Sequence, residues 1–307
     1  MPVGTSVSAM PDGSLIVGVR RLRIQNYRVI DIVGSGANGA VARAQHRYLS
    51  HEAAVKVWLK LKVNDARNKF KQGIAEARKA AAAERIDHTH AVRVFDAGNA
   101  GGLFFAVMEY FPGITARRWL AEQCPPLSLR CWLAFSVVEA AFAAMSYGVI
   151  HGDLHLGNVL VALSSVPPSQ HCPDFRIVDY GTSVFSKKEH SLMRHWRVLE
   201  ETVSTLVSPF NTREFSFPFR PRELSERSLL SVLSRYRAMF TRITCFVHSL
   251  GVVRAVPPAE DDEWESTPAD YSHLIGDEWR ERLRQLIASG RIRLDTKWLG
   301  TEKEWWA

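Results

Sequence analysis

Cysteine is scarce: the four in 307 residues, Cys124, Cys131, Cys172 and Cys245, form no CxxC pair. Their spacing excludes a zinc ribbon and a small disulfide scaffold, and buried free thiols are expected. The N-terminal stretch MPVGTSVSAMPDG lacks a basic region followed by a long apolar segment, so no secretory signal is read and a cytoplasmic location is expected. No zinc-finger spacing or RRM-like aromatic signature accompanies the formal charge of +7, which is scattered except at Arg20, Arg21 and Arg23. A nucleic-acid partner is therefore not expected, although a basic balance suits the binding of polyanionic nucleotides. No internal repeat is present. Only one run, Cys131 to Ile150, reads like a membrane span, and Glu139 at its centre would be costly in lipid. A buried helix, and no transmembrane segment, is the expectation. What is there is ordinary globular composition, 46% apolar and 23% charged, enough for a packed core.

Periodicity divides the chain. YRVIDIVGSG, AVARAQHR and EAAVKVW alternate as three strands between Tyr27 and Val57. A helix rich in Ala, Lys, Arg and Glu follows over about 64–85. RVFDAGNAGGLFFAVMEYF then reads as two strands around a turn, ending at Pro112-Gly113. Helices are predicted at about 115–123 and 128–147, and a hairpin at NVLVALS and FRIVDYG. After Lys188 the pattern is helical, with an acidic connector, VPPAEDDEWESTPAD, before a last helix at about 277–288.

Gly34, Gly36 and Gly39 form a G-x-G-x-x-G. A dinucleotide-binding fingerprint must open a helix, whereas here a strand follows. A strand, glycine turn, strand unit suits a flap over triphosphate oxygens, because glycine lets backbone amides come close. Lys56, alone in its strand, can place a cation at the α and β phosphates if a carboxylate fixes it. Glu76 and Glu84 in the next helix are both candidates, and chain distance favours Glu76. In HGDLHLGNVL, Asp153 and Asn158 stand with four residues between them at the mouth of the hairpin. That is the arrangement of a kinase catalytic loop, in which Asp accepts the nucleophile's proton and Asn binds magnesium. Asp179 of IVDYG takes the place of the DFG aspartate, with Tyr for Phe, and would hold magnesium at the β and γ phosphates. A zinc pair at His151 and His155 is the rival reading. Gly152 and Gly157 do not suit a helix there, and the Glu of H-E-x-x-H is absent.

Taken in order, the glycine loop, strand Lys, helix Glu, MEYF strand end, H-x-D-x4-N and D-x-G resemble the protein-kinase-like superfamily from Tyr27 to at least Val207. The small lobe is similar to bacterial Ser/Thr kinases. HGDLHLGN is similar to the loop of aminoglycoside and choline kinases and other atypical members. The resemblance implies an α+β bilobal fold: an N-terminal extension over 1–26, a small lobe of antiparallel sheet plus helix over 27–112, and a larger, mostly helical lobe over 113–307. It implies ATP and Mg2+ as cofactors. Met108 would be the gatekeeper, and Glu109, Tyr110 and Phe111 the hinge whose backbone bonds adenine. Val41 and Ala54 would pack on the adenine ring, and His151 would be the structural histidine of the loop.

Departures from the family pattern are equally specific. Gly152 replaces the Arg of H-R-D, which reads a phosphorylated activation segment. His155 stands where protein kinases usually carry a Lys near the γ phosphate, and no Ala-Pro-Glu follows DYG. Three functions follow from the resemblance. The leading one is an active phosphotransferase acting on a protein Ser/Thr hydroxyl. A small-molecule hydroxyl kinase is supported by HGDLHLGN and the missing Ala-Pro-Glu. A pseudokinase is the third, opposed by the intact set of Lys56, Asp153, Asn158 and Asp179.

Overall fold

Alternation of small and β-branched residues against half-buried ones builds an antiparallel sheet. Its strands are β4 (Tyr27–Gly36), β5 (Gly39–His46), β6 (Glu52–Trp58), β7 (Val94–Ala100) and β8 (Leu103–Glu109), in the order β4-β5-β6-β8-β7. The computed structural model describes residues 6–36, 39–58, 66–82, 90–125, 127–162, 174–181, 192–208 and 226–249. Ala42, Ala44, Ala53, Val55 and Val57 on one face of the sheet are fully buried.

What buries that face is the N-terminal segment. β1 (Val7–Ala9), β2 (Leu15–Val17) and β3 (Arg20–Leu22) form a second antiparallel sheet. Leu15, Val17, Leu22 and Ile24 belong to the same core as Val55, Val57, Phe105 and Val107. The segment expected as an extension is thus continuous with the small lobe, and the first compact unit comprises Met1–Pro112, Val149–Gly152 and Arg176–Leu192. The arginine cluster belongs to this construction. Asp12 accepts hydrogen bonds from the Ser14 hydroxyl at 2.6 Å and the Ser14 amide at 3.1 Å, and pairs with Arg21 and with Arg23 at 3.0 Å. The Ser14 bonds, followed by the guanidinium charges, hold the Asp12 carboxyl far below the usual carboxylate range.

Helix α1 (Ala66–Ala82) turns Phe70, Gly73, Ala77 and Ala80 inward. Phe70 packs on Trp58 with ring centroids 5.4 Å apart and on Phe104 at 4.8 Å. Glu84 lies outside the described residues, as do the expected acidic connector and last helix.

The second unit comprises Gly113–Gly148, Asp153–Phe175 and Met193–Ala307. It contains β9 (Gly113–Thr115), α2 (Ala116–Arg118), a π-helical stretch (Trp119–Gln123), α3 (Leu127–Ser146) and β10 (Val159–Ala162). β11 (Phe175–Ile177), α4 (Leu192–Val207) and α5 (Glu226–Ser249) follow in the chain, and the small sheet has the order β11-β10-β9. The expected helix at 115–123 is a capped α turn, with Thr115 Oγ1 accepting from the Arg118 amide at 3.3 Å, that widens into the π stretch. α3 is long and apolar enough to cross a membrane by length and composition, yet Leu133, Ala134, Val137, Val138 and Met145 are fully buried in protein, with Glu139 exposed. Phe142 makes T-shaped contacts with Trp196 of α4 and Tyr236 of α5, with ring centroids 5.6 and 5.8 Å apart. Arg130 of α3 donates to the Leu206 carbonyl at 2.7 Å and to that of Ser208, satisfying the C-terminus of α4.

Among the described cysteine side chains, Cys131 is buried as expected, whereas Cys124 is exposed at a left-handed φ of 44° where the π stretch ends. Burial pushes the Cys131 thiol up to about 12. A maleimide at neutral pH is expected to label Cys124 in the native protein and Cys131 only after denaturation, read by peptide mass spectrometry. Leu22→Ala is expected to destabilise the small lobe by about 2–5 kcal/mol in urea unfolding, where a loose extension would give no change.

Candidate active site

The sheet face opposite the core gathers the residues expected around a nucleotide. Pairing of Val41 with Lys56, Lys56 with Ala106 and Ala54 with Met108 brings Val41, Ala54, Lys56 and Met108 to one side. The glycine loop is the β4–β5 hairpin, in which Gly34 pairs with Val41 and Gly36 with Gly39; residues 37 and 38 lie outside the description. A Cβ on Gly39 would lie 2.4 Å from the Val57 carbonyl oxygen, whereas one on Gly34 would meet nothing within 4 Å. Packing against β6 therefore requires glycine at 39, and the space beside Gly34 is open.

β8 ends at Glu109, the first residue of the stretch for which a hinge is expected. The Glu109 amide donates to the Arg93 carbonyl at 2.9 Å. The Glu109 carboxylate is bracketed by Arg176 Nε at 3.1 Å and Arg93 Nε at 3.4 Å. The Arg176 guanidinium also lies 5.0 Å from the Phe111 ring centroid.

Lys56 is 12% exposed and forms an ion pair with Asp179. Its ammonium also lies 5.4 Å from the Trp58 ring centroid. The carboxylate at Lys56 in this structure is therefore that of Asp179, and Glu76 is engaged elsewhere. Glu76 accepts from Gln72 Nε2 at 3.1 Å through one oxygen, and its other oxygen is buried without a hydrogen bond. The reason lies in how closely the DYG segment approaches α1. Gly181, at a φ of 75°, sits so near Gly73 that an added Cβ would lie 2.0 Å from the Gly73 carbonyl oxygen. Asp179, itself at a φ of 70°, then presents its carboxylate to Lys56. The segment is held from two more directions. The Ile177 amide donates to the His90 carbonyl at 2.6 Å, and His151 Nε2 donates to the Val178 carbonyl at 2.9 Å. The buried His151 ring also meets Tyr180 edge-on, with centroids 4.7 Å apart. Its Nε2 thus acts as a structural donor, which removes it as a zinc ligand through that atom. Among the described residues no group of three or more His, Cys, Asp or Glu side chains could hold a metal ion. Lys56, Ile74, Ala77, Met108 and Asp179 line a cleft beside α1.

In the second unit the loop after Gly152 is shaped by its own backbone. The His155 amide donates to the Asp153 carbonyl at 3.0 Å and the Asn158 amide to the His155 carbonyl at 2.8 Å. Asn158 Nδ2 donates to the Asp153 carbonyl at 2.9 Å, so the amide oxygen is the end left for a hard cation. Asp153 is half-buried, and its Oδ1 accepts from Arg194 Nη2 of α4 at 2.7 Å. The Thr202 hydroxyl of α4 donates to the Leu154 carbonyl at 2.8 Å. Sequence reasoning passed over Arg194, Arg176 and Thr202, since none lies in a motif and helical spacing does not say which loop a helix meets.

Comparison with known proteins is consistent with this geometry. Residues 27–207 match the protein kinase domain. The serine/threonine-protein kinase pkn3 of Myxococcus xanthus is 32% identical over 160 residues, covering 50% of this chain and 27% of that protein. The DNA damage-responsive serine/threonine-protein kinase RqkA of Deinococcus radiodurans is 30% identical over 186 residues, covering 59% of this chain and 25% of that protein. The chain thus spans about a quarter of the length of these relatives. Among solved structures, the PknI kinase domain of Mycobacterium tuberculosis aligns with a TM-score of 0.48 and 16% identity, over 75% of this chain and 100% of that one. With more than half of its 307 residues matched and the family's motifs in order along two compact units, the chain belongs to the protein kinase domain family.

Proposed function

We propose that this chain is an ATP- and magnesium-dependent phosphotransferase that moves the γ-phosphate to a Ser or Thr hydroxyl of a protein. The observation that carries the reading is the Lys56–Asp179 ion pair, set on the sheet face that also bears Val41, Ala54 and Met108. A lysine so placed binds phosphate oxygens, and the small apolar side chains beside it accept a flat base. Gly34, Gly36 and Gly39 are assigned to the phosphate flap, and Glu109 and Phe111 to the hinge. The relatives are serine/threonine-protein kinases, which supports a protein hydroxyl as the acceptor.

Asp153 is assigned the acceptor. Its carboxylate orients the hydroxyl and takes its proton as the hydroxyl oxygen bonds to the γ phosphorus and the bond to the β–γ bridging oxygen breaks. Protein kinases use ATP and Mg2+; here Asn158 and Asp179 are the oxygen donors assigned to magnesium, which when bound neutralises charge on the phosphates. Lys56 orients the α and β phosphates. Glu76, whose buried oxygen lacks a hydrogen bond, is retained as a second carboxylate for Lys56 in the nucleotide-bound protein.

Transfer from γ-labelled ATP with magnesium in cell extract is expected to label protein, and Asp153→Asn to reduce that label about 10²–10³-fold. Label confined to low-mass compounds would make the protein a small-molecule kinase, and ATP binding without transfer a pseudokinase. Asp179→Asn is expected to abolish the magnesium dependence of ATP binding in titration calorimetry. An unchanged dependence would remove Asp179 from the metal site.

A further inference from the structure

Phosphoryl transfer is driven largely by fixed positive charge at the site where the group moves. The loop HGDLHLGN carries no Lys or Arg. Neither histidine replaces one. His151 is buried and donates to the Val178 carbonyl. His155 accepts the Gly157 amide at its Nδ1, at 3.0 Å. Nδ1 is thus engaged by the loop's own backbone, and Nε2 is the ring's other nitrogen. That Nε2 lies 3.8 Å from Asp153 Oδ2, beyond hydrogen-bond length.

The charge at Asp153 arrives from elsewhere in the same unit. Arg194 Nη2 donates to Asp153 Oδ1 at 2.7 Å, a charge-assisted bond from a guanidinium that is 17% exposed. Its helix is anchored to the loop. Trp196 and Leu199 of α4 are buried, and Thr202 ties α4 to the Leu154 carbonyl. An arginine on an anchored helix gives up little freedom in keeping one geometry, unlike an exposed surface pair.

We propose that Arg194 is the positioning residue of the transfer site: it holds the Asp153 carboxylate in one orientation and provides the fixed positive charge that the loop itself lacks. The proposal rests on the phosphotransferase reading above. It makes α4 part of the catalytic apparatus and assigns to an arginine 41 residues beyond Asp153 a task that the loop's own side chains do not perform.

The test compares the full chain with Arg194→Met, Arg194→Lys and the double variant Arg194→Met/His155→Lys, in the γ-labelled ATP assay. Arg194→Met is expected to lower kcat about 10²-fold, with KM for ATP and the melting temperature unchanged. Arg194→Lys keeps the charge and is expected to retain more activity than Arg194→Met. A lysine at 155 starts beside Oδ2 and restores a cation, so the double variant is expected to regain about tenfold over Arg194→Met. A purely structural role for Arg194 gives no such rescue, and failure of the rescue overturns the proposal. So does an Arg194→Met protein that transfers at the wild-type rate or faster. If the wild type itself transfers no phosphate, the phosphotransferase reading fails and takes this proposal with it. An active wild type with an indifferent Arg194→Met removes only the role of Arg194.

Discussion

A lysine ammonium on a mostly buried sheet face is tolerable only beside a carboxylate, and the architecture of the first unit follows from providing one. Lys56 finds it in Asp179, 123 residues away in the chain. Removing either partner would leave a charge in a poorly solvated place, so the pair demands that the DYG segment stay where it is. The supports around it answer that demand: the His151 bond to the Val178 carbonyl, the Ile177 bond to the His90 carbonyl, and the glycine at 181 that allows contact with α1. The cost is visible at Glu76. Its helix is close enough to touch the segment, yet its carboxylate turns to Gln72 and keeps one oxygen buried without a partner.

The sheet that carries Lys56 must be rigid for this pairing to be stable, and rigidity comes from covering its far face. Ala42, Ala44, Val55 and Val57 would otherwise lie against water. The N-terminal strands cover them with Leu15, Val17 and Leu22. Asp12, bonded to Ser14 and paired with two arginines, fixes the turn that brings those strands into register. The arginine cluster that looks like a basic patch in the sequence is therefore in large part a folding device.

The second unit solves a different problem, that of presenting Asp153 and Asn158 in a loop with few apolar anchors of its own. Leu154 and Leu156 are buried, and short backbone hydrogen bonds close the turn between them and Asn158. α4 then braces the loop at Asp153 and at Leu154. Trp196 carries the brace into α3 through Phe142, so the apolar helix that resembles a membrane span is the pillar behind the loop.

The strands from Tyr27 to Trp58, the hairpin between β7 and β8, the long helices and the order of the family's motifs were legible from the sequence. Period-two and three-to-four patterns, and glycines at turns, depend only on neighbours in the chain. Three things were decided by tertiary structure. Which carboxylate holds Lys56 depends on the approach of the DYG segment to α1, measured at Gly181 and Gly73, two residues far apart in the sequence. Whether residues 7–22 dangle or pack depends on whether the sheet presents an uncovered apolar face to them, which alternation in either segment alone does not reveal. The arginine that reaches Asp153 depends on the direction in which α4 crosses the loop, because a helix pattern states which side is apolar but not what its polar side will meet. Local chemistry is written in spacing; partnership across the chain is a matter of packing, and it exists only once the core has formed.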